Sequence, residues 1–269
     1  MPSGLDLPPG VGLTSLDETG STNEDALRAA RAGERGPHWF VARRQRAGRG
    51  RGGRAWVSEP GNLHATLLVS GIPLAVAPQI GFVAGLALHD AVSRFARFGP
   101  RLRIKWPNDL LLDGAKLAGI LLETEGSAGT AAVAIGFGVN VAAAPRGLPY
   151  PAAALAASCS DLRADALLAA LAHALAARLA AWRRAHEGDA PDAFAETRRL
   201  WLERAAGLGA SITVRSGTAE RRGRFAGLDG TGRLMLDTDR GRHLIDAGDV
   251  LLTPAPGIGA PPAMADQEW

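Results

Sequence analysis

Six arginines and four glycines fall within residues 43–54: Arg43, Arg44, Arg46, Arg49, Arg51 and Arg54, interleaved with Gly48, Gly50, Gly52 and Gly53 and with no acid among them. Glycine lets main-chain N–H groups approach a ligand closely, and arginine adds a permanent forked cation, so the combination suits closure over phosphate or carboxylate. The chain carries a formal charge of +3, so without these six cations the remainder would stand at −3. The basicity is therefore local. Arg/Gly runs also bind RNA. This one is short, and it lies between two strand-like stretches, 39–42 and 63–69, which makes it a loop inserted in a folded domain.

A second group of polar residues is Lys105-Trp106-Pro107-Asn108-Asp109, where Asn and Asp just past a proline can aim donors and acceptors at a ligand from a strand end. The same residues also make ordinary turns. Lys116 opens an otherwise apolar strand directly after a turn, so its amine projects from a fixed place beside Asn108 and Asp109, although most lysines are simply solvated. Gly136-Phe137-Gly138-Val139-Asn140-Val141 reads as a strand with two close-approach glycines, and Ser21-Thr22-Asn23 opens a helix.

These residues need a scaffold, and the spacing supplies one. Residues 1–15 are Pro/Gly-rich and are expected to be an irregular arm. A capped helix follows from Ser21 and ends at Gly33. Apolar residues from Ile80 to Phe95 recur at helical spacing. A strand at 102–106 precedes a hairpin turning at Asp113-Gly114, then the glycine strand, then helices over 161–187 and 192–204. From about residue 208 the texture becomes short alternating segments, expected to form a small all-β barrel. The fold class is α+β, a mixed sheet with flanking helices plus a small C-terminal β-barrel. The expected division is a catalytic domain at 1–207, a small domain at 208–255 and a disordered tail at 256–269.

Composition bounds the setting. A hydrophobic content of 46 % supports a sizeable core, and the single cysteine, Cys159, excludes an internal disulfide framework and fits a reducing compartment. The N-terminus lacks the features of a signal peptide, and the Ala/Leu stretch 164–182 is broken by Asp165, His173 and Arg178. The expectation is a cytoplasmic protein with no membrane association.

In order and spacing, Ser21-Thr22-Asn23, the 48–54 loop, Lys105-Trp106-Pro107-Asn108-Asp109, Lys116-Leu117-Ala118-Gly119-Ile120-Leu121 and the 136–141 strand closely resemble the motif series of the biotin protein ligases. The resemblance covers about residues 15–145, and a small C-terminal barrel of SH3-like type on a class II synthetase-like catalytic domain fits it. It implies an enzyme that activates biotin with ATP as biotinyl-5′-AMP and transfers it to one lysine of a biotin carboxyl carrier domain, with Mg²⁺ accompanying ATP. By the same resemblance Lys116, Asp109 and Arg51 are catalytic. Ser21, Thr22, Asn23, Gln45, Arg49, Arg51, Lys116 and Gly119 bind biotin, with Ile120 packing on it. Arg49, Arg51, Arg54, Trp56, Asn108, Lys116 and Asn140 bind the nucleotide. No Mg²⁺ ligand is identified.

The chain departs from the pattern at Gly52, where many relatives carry another arginine, and at His64, where they often carry an aromatic. Residues 248–253 lack an obvious basic residue at their end, which leaves the barrel's role toward ATP open. Ser21-Thr22-Asn23 comes too early for a preceding helix-turn-helix domain, so no operator DNA binding is expected; a homodimer through edge strands is left open. Other readings are a lipoate or octanoate ligase of the same superfamily, a nucleic-acid-binding module built on the Arg/Gly loop, and a carboxylase-associated binding subunit for which Lys116 would be dispensable.

Overall fold

The computed structural model describes residues 4–126, 129–188 and 191–252. The expected tail at 256–269 lies outside the described residues.

Two sheets organise the chain. The larger has seven strands in the order β1-β2-β3-β7-β6-β5-β4. They are β1 Gly12–Thr19, β2 His38–Gln45, β3 Leu63–Pro73, β4 Leu102–Lys105, β5 Asp109–Leu112, β6 Ala115–Glu125 and β7 Thr130–Val139. β1 and β2 pair in parallel and every other pair is antiparallel, so the sheet is mixed as expected. β1 corrects the sequence reading, which placed an irregular arm there. Leu13 and Leu16 do not alternate, and the strand is held by its register with β2, from Gly12 opposite His38 to Thr19 opposite Gln45.

Strand periodicity divides the sheet's faces. Trp39, Val41, Leu67, Val69, Ile135 and Phe137 point into the main core, which is closed by α2 (Gln79–Ser93), α3 (Ala164–Glu187) and α4 (Ala195–Glu203). The opposite face carries Phe40, Leu68 and Ala134, and α1 (Thr22–Arg31) covers only that end of it with Ala26. A trough remains beside α1. By length and composition α3 could cross a membrane, but here Leu168, Leu171, Leu175 and Trp182 bury it against the fold.

The expected small β domain is a five-stranded antiparallel sheet, in the order β11-β10-β9-β8-β12. Its strands are β8 Ser211–Ser216, β9 Ala219–Leu228, β10 Leu234–Thr238, β11 Gly241–Ile245 and β12 Asp249–Leu252; the four-residue β12 adds to the four segments legible in the sequence. Ile212, Val214, Phe225, Leu234, Leu236, Ile245 and Val250 turn inward and join the main core. The turn at Gly232 presses on the large domain. Its carbonyl accepts a hydrogen bond from buried Trp106, and any Cβ there would meet the Phe82 ring at 2.6 Å. Phe82 meets Phe194 and Trp201 edge-on.

Candidate functional site

The trough is built by register. Ala42, His64, Gly138, Gly119, Asp109 and Lys105 stand side by side across β2, β3, β7, β6, β5 and β4. A second row, Phe40, Thr66, Gly136 and Leu121, runs beside it. Paired residues project from the same face. The floor is therefore glycine in the middle, flanked by His64 and Thr66 on one side and by Asp109 and Lys105 on the other.

Lys116 reaches this face through an irregularity. Asp109 pairs with Gly119 and Leu110 with Ala118, but Leu111 then pairs with Lys116, a β-bulge. Regular alternation from Gly119 would turn Lys116 away; the bulge turns it back, which is a common use of bulges. Its Nζ lies 2.8 Å from Asp109 Oδ1, while Lys105 Nζ lies 3.1 Å from Oδ2. The buried carboxylate thus meets one ammonium at each oxygen, and its further lone pairs can accept another proton donor. The backbone of Lys116 is pinned by Pro151 O and Ala153 N, and its amine lies between the rings of Trp56 and Tyr150, at 5.7 and 5.6 Å.

The other end is neutral and closely bonded. Ser21, Thr22 and Asn23 are all buried at the start of α1. The Ser21 side chain makes no capping bond, contrary to the sequence expectation of a capped start. Gln45 Oε1 accepts from Thr22 N at 2.9 Å and Thr22 Oγ1 at 3.1 Å. Thr66 Oγ1 lies 2.7 Å from Asn23 Oδ1 and 2.8 Å from Thr22 Oγ1. Asn23 Nδ2 donates to Leu121 O and Glu123 Oε2. A Cβ at Gly136 would sit 2.2 Å from Asn23 Oδ1, so the glycine makes room for that amide.

The Arg/Gly segment closes on itself as a small hairpin. Trp56 N donates to Gly48 O and Gly50 N to Arg54 O. Gly52 and Gly53 form its tip with φ of 64° and 75°, a backbone only glycine adopts freely, which gives the Gly52 departure a conformational reason. Arg51 Nη1 stands 3.5 Å from Asn108 Oδ1, and burial lowers its pKa while leaving it a cation. Arg49 pairs with Glu123 at 3.3 Å. Trp56 lies on the glycine floor: a Cβ at Gly138 would meet its ring at 2.3 Å, and one at Gly119 at 3.2 Å. Trp56 Nε1 finds no partner among the described residues.

Two expected residues sit differently from their assigned roles. Asn140 lines a small cleft with Trp56, Lys116, Leu148 and Tyr150. Its Nδ2 is already committed to Ala153 O and Lys116 O, so it ties that wall together. Asn108 gives its amide to Ile120 O at 2.6 Å and offers Oδ1 to Arg51. His64 is 1 % exposed, and burial lowers its pKa to about 4 against a weak pull from the Glu59 main chain; neither ring nitrogen makes a hydrogen bond of proper geometry among the described residues. The sequence reading omitted Thr66, Glu123, Tyr150 and Asp249. A threonine inside the apolar run 63–69 was the one available signal; the others meet the site only through tertiary contacts, Glu123 with Asn23, Tyr150 with Lys116 and Asp249 with Arg54.

The model of the biotin/lipoate A/B protein ligase family matches residues 15–140, and that of the biotin protein ligase C terminal domain matches residues 207–252. The chain is 45 % identical over 240 residues to a biotin--[acetyl-CoA-carboxylase] ligase of Paracoccus denitrificans, covering 87 % of this chain and 98 % of that one. It is 33 % identical over 256 residues to the enzyme of the same name from Mycobacterium tuberculosis, covering 90 % of each. A solved biotin protein ligase from Aquifex aeolicus, in complex with biotin and ATP, matches with a TM-score of 0.71 at 25 % identity, over 91 % of this chain and 99 % of that one.

Proposed function

The chain belongs to the biotin protein ligase family, and from that premise we propose how its trough works. It is an ATP-dependent ligase that activates biotin as biotinyl-5′-AMP and transfers it to a lysine of a carboxyl carrier domain. One observation carries the assignment of roles: a glycine floor joins a buried neutral cluster to a pair of lysines gripping one carboxylate.

The neutral end suits an uncharged ureido ring, which needs paired donors and acceptors in a dry pocket. Ser21, Thr22, Asn23 and Gln45 supply them, while Gly136 makes room for the Asn23 amide and Gly119 and Gly138 let Trp56 lie close to the sheet as a wall of the site. The carboxylate then points to Lys116. The α-phosphate of ATP must approach that same carboxylate, and two anions meet only beside fixed positive charge. Lys116 and Arg51 supply it, with Arg49 and Arg54 carried on the hairpin that covers the site. The carboxylate oxygen bonds to the α-phosphorus, and the bond to pyrophosphate breaks. In the second step the carrier amine attacks the acyl carbon and AMP leaves with the bonding pair. Asp109, held between Lys105 and Lys116, receives and orients that amine. Trp56, Asn108, Asn140 and Tyr150 shape the nucleotide side. The hairpin keeps water and stray amines from the mixed anhydride.

Magnesium enters with ATP as part of the substrate. Among the described residues no three His, Cys, Asp or Glu side chains group as a cation site, and Asp109 is held by two lysines, so no step is assigned to a resident metal. Residues 1–207 act as the catalytic domain and 208–255 as the accessory one. A cytoplasmic location agrees with the unpaired Cys159.

The test is pyrophosphate release with biotin and ATP, followed by the mass of a carrier domain. One added biotin on one lysine supports the reading; release with lipoate or octanoate in place of biotin would contradict it.

A further inference from the structure

Asp249 belongs to none of the motifs, yet it touches the hairpin. It opens β12 in the C-terminal sheet. Arg54 donates to it through a fork, Nη1 to Oδ2 at 2.8 Å and Nη2 to Oδ1 at 2.9 Å. One residue earlier, Gly248 O accepts from Arg51 Nη1 at 3.2 Å. Arg51 in turn faces Asn108, next to Asp109 and Lys116. The first two residues at this corner therefore grip the hairpin tip from outside the large domain. The corner itself is braced: a Cβ at Gly248 would sit 2.7 Å from Arg215 O and 2.9 Å from Val214 Cγ1, so the chain there is pressed onto β8.

We propose that Asp249 is a positioning residue that, through Arg54, holds the Arg/Gly hairpin closed over the trough. This rests on the ligase reading for its consequence in turnover, though the contact exists without it. The small sheet then contributes to the reaction by clamping the loop that retains the adenylate, a role that needs no cation of its own at 248–253. The exposure of the pair agrees with this. The side chains are 59 % and 51 % exposed, so the fork is weak enough to open in each cycle while biotin and ATP enter and products leave. Two contacts close together, Asp249 with Arg54 and Gly248 with Arg51, make the hold cooperative across the hairpin tip.

The experiment uses the full chain with ATP, biotin, a carrier domain and serum albumin as a bystander. The readout is albumin labelled per pyrophosphate released. Asp249→Ala and Arg54→Ala each raise this ratio by about fivefold, the scale of an exposed forked pair, and the double variant leaks no more than either single one. The exchanged pair, Arg54→Asp with Asp249→Arg, restores the low ratio. A purely structural loss would not be rescued by exchange. Single effects that add in the double variant, or an exchange that fails to restore retention, would overturn the proposal. Tryptic cleavage within 49–54 gives a readout independent of activity: in Asp249→Ala it speeds up by about fivefold with the thermal midpoint of the fold unchanged. If wild type makes no adenylate, the ligase reading fails while the tryptic comparison still decides the latch; an unchanged tryptic rate overturns the latch alone.

Discussion

The two ends of the trough solve opposite problems. At the α1 end neutral, buried groups are bonded to their neighbours, Thr22 to Gln45 and Asn23 to Thr66 and Leu121, and the one carboxylate they reach, Glu123, is paired with Arg49 at the rim. At the β4–β5 end the groups are charged, partly solvated and held by ion pairs, and one wall is a hairpin. A neutral ring gains from a fixed, dry set of partners. Charge that must develop, move and leave needs groups that can exchange partners. On the proposed reading, rigidity selects the ligand at one end and adaptable charge does the chemistry at the other.

That division can be broken most severely at Lys116. Lys116→Ala should lower the rate of adenylate formation by about 10³-fold, the range for removing one pre-placed charge-stabilising group, with the fold retained by circular dichroism. Adenylation within tenfold of wild type would return Lys116 to an ordinary solvated lysine.

His64 sharpens the account of the dry part of the trough. Its pKa falls from 6.5 when unfolded to about 4 when folded. Between those values the unfolded chain binds the extra proton, so stability is full above about pH 6.5 and declines as pH falls toward 4, by about 3 kcal/mol in all. Denaturant titrations of His64→Phe should show a flatter decline over that window. An identical profile would mean that the imidazole is not buried as described.

Asn23→Ala leaves Thr66, Leu121 O and Glu123 without their shared partner, and should cost about 2 kcal/mol of stability together with a large rise in KM for biotin, measured by melts and initial rates. A rise in KM for ATP alone would place the ring elsewhere. Arg51→Gly should slow adenylate formation less than Lys116→Ala does, and the adenylate that forms should escape about tenfold more readily, labelling unrelated lysines. If only the carrier is modified, the hairpin is not the gate.

Sequence and structure diverge along the same division. Local signals were legible. The Asp113-Gly114 turn has φ of 52° and 78°, as a two-residue hairpin requires, and the apolar spacing of α2 and the close-approach glycines 136 and 138 were visible in the chain. The motif residues Ser21, Thr22, Asn23, Lys116 and Asp109 do come to one face. What escaped depends on pairing across the fold. β1 exists through its register with β2, and the bulge that aims Lys116 arises from how β5 and β6 pair. Neither carries a periodicity of its own. Thr66 and Glu123 gain meaning only through Asn23, and Asp249 only through Arg54, 195 residues earlier.

The most direct test of separable ends is biotin binding by calorimetry without ATP, set beside ATP–pyrophosphate exchange, in Lys116→Ala and Asn23→Ala. The account predicts that Lys116→Ala binds biotin within about tenfold of wild type and shows no exchange, whereas Asn23→Ala loses binding and regains exchange at saturating biotin. Loss of biotin binding in Lys116→Ala with exchange intact in Asn23→Ala at ordinary biotin would contradict it.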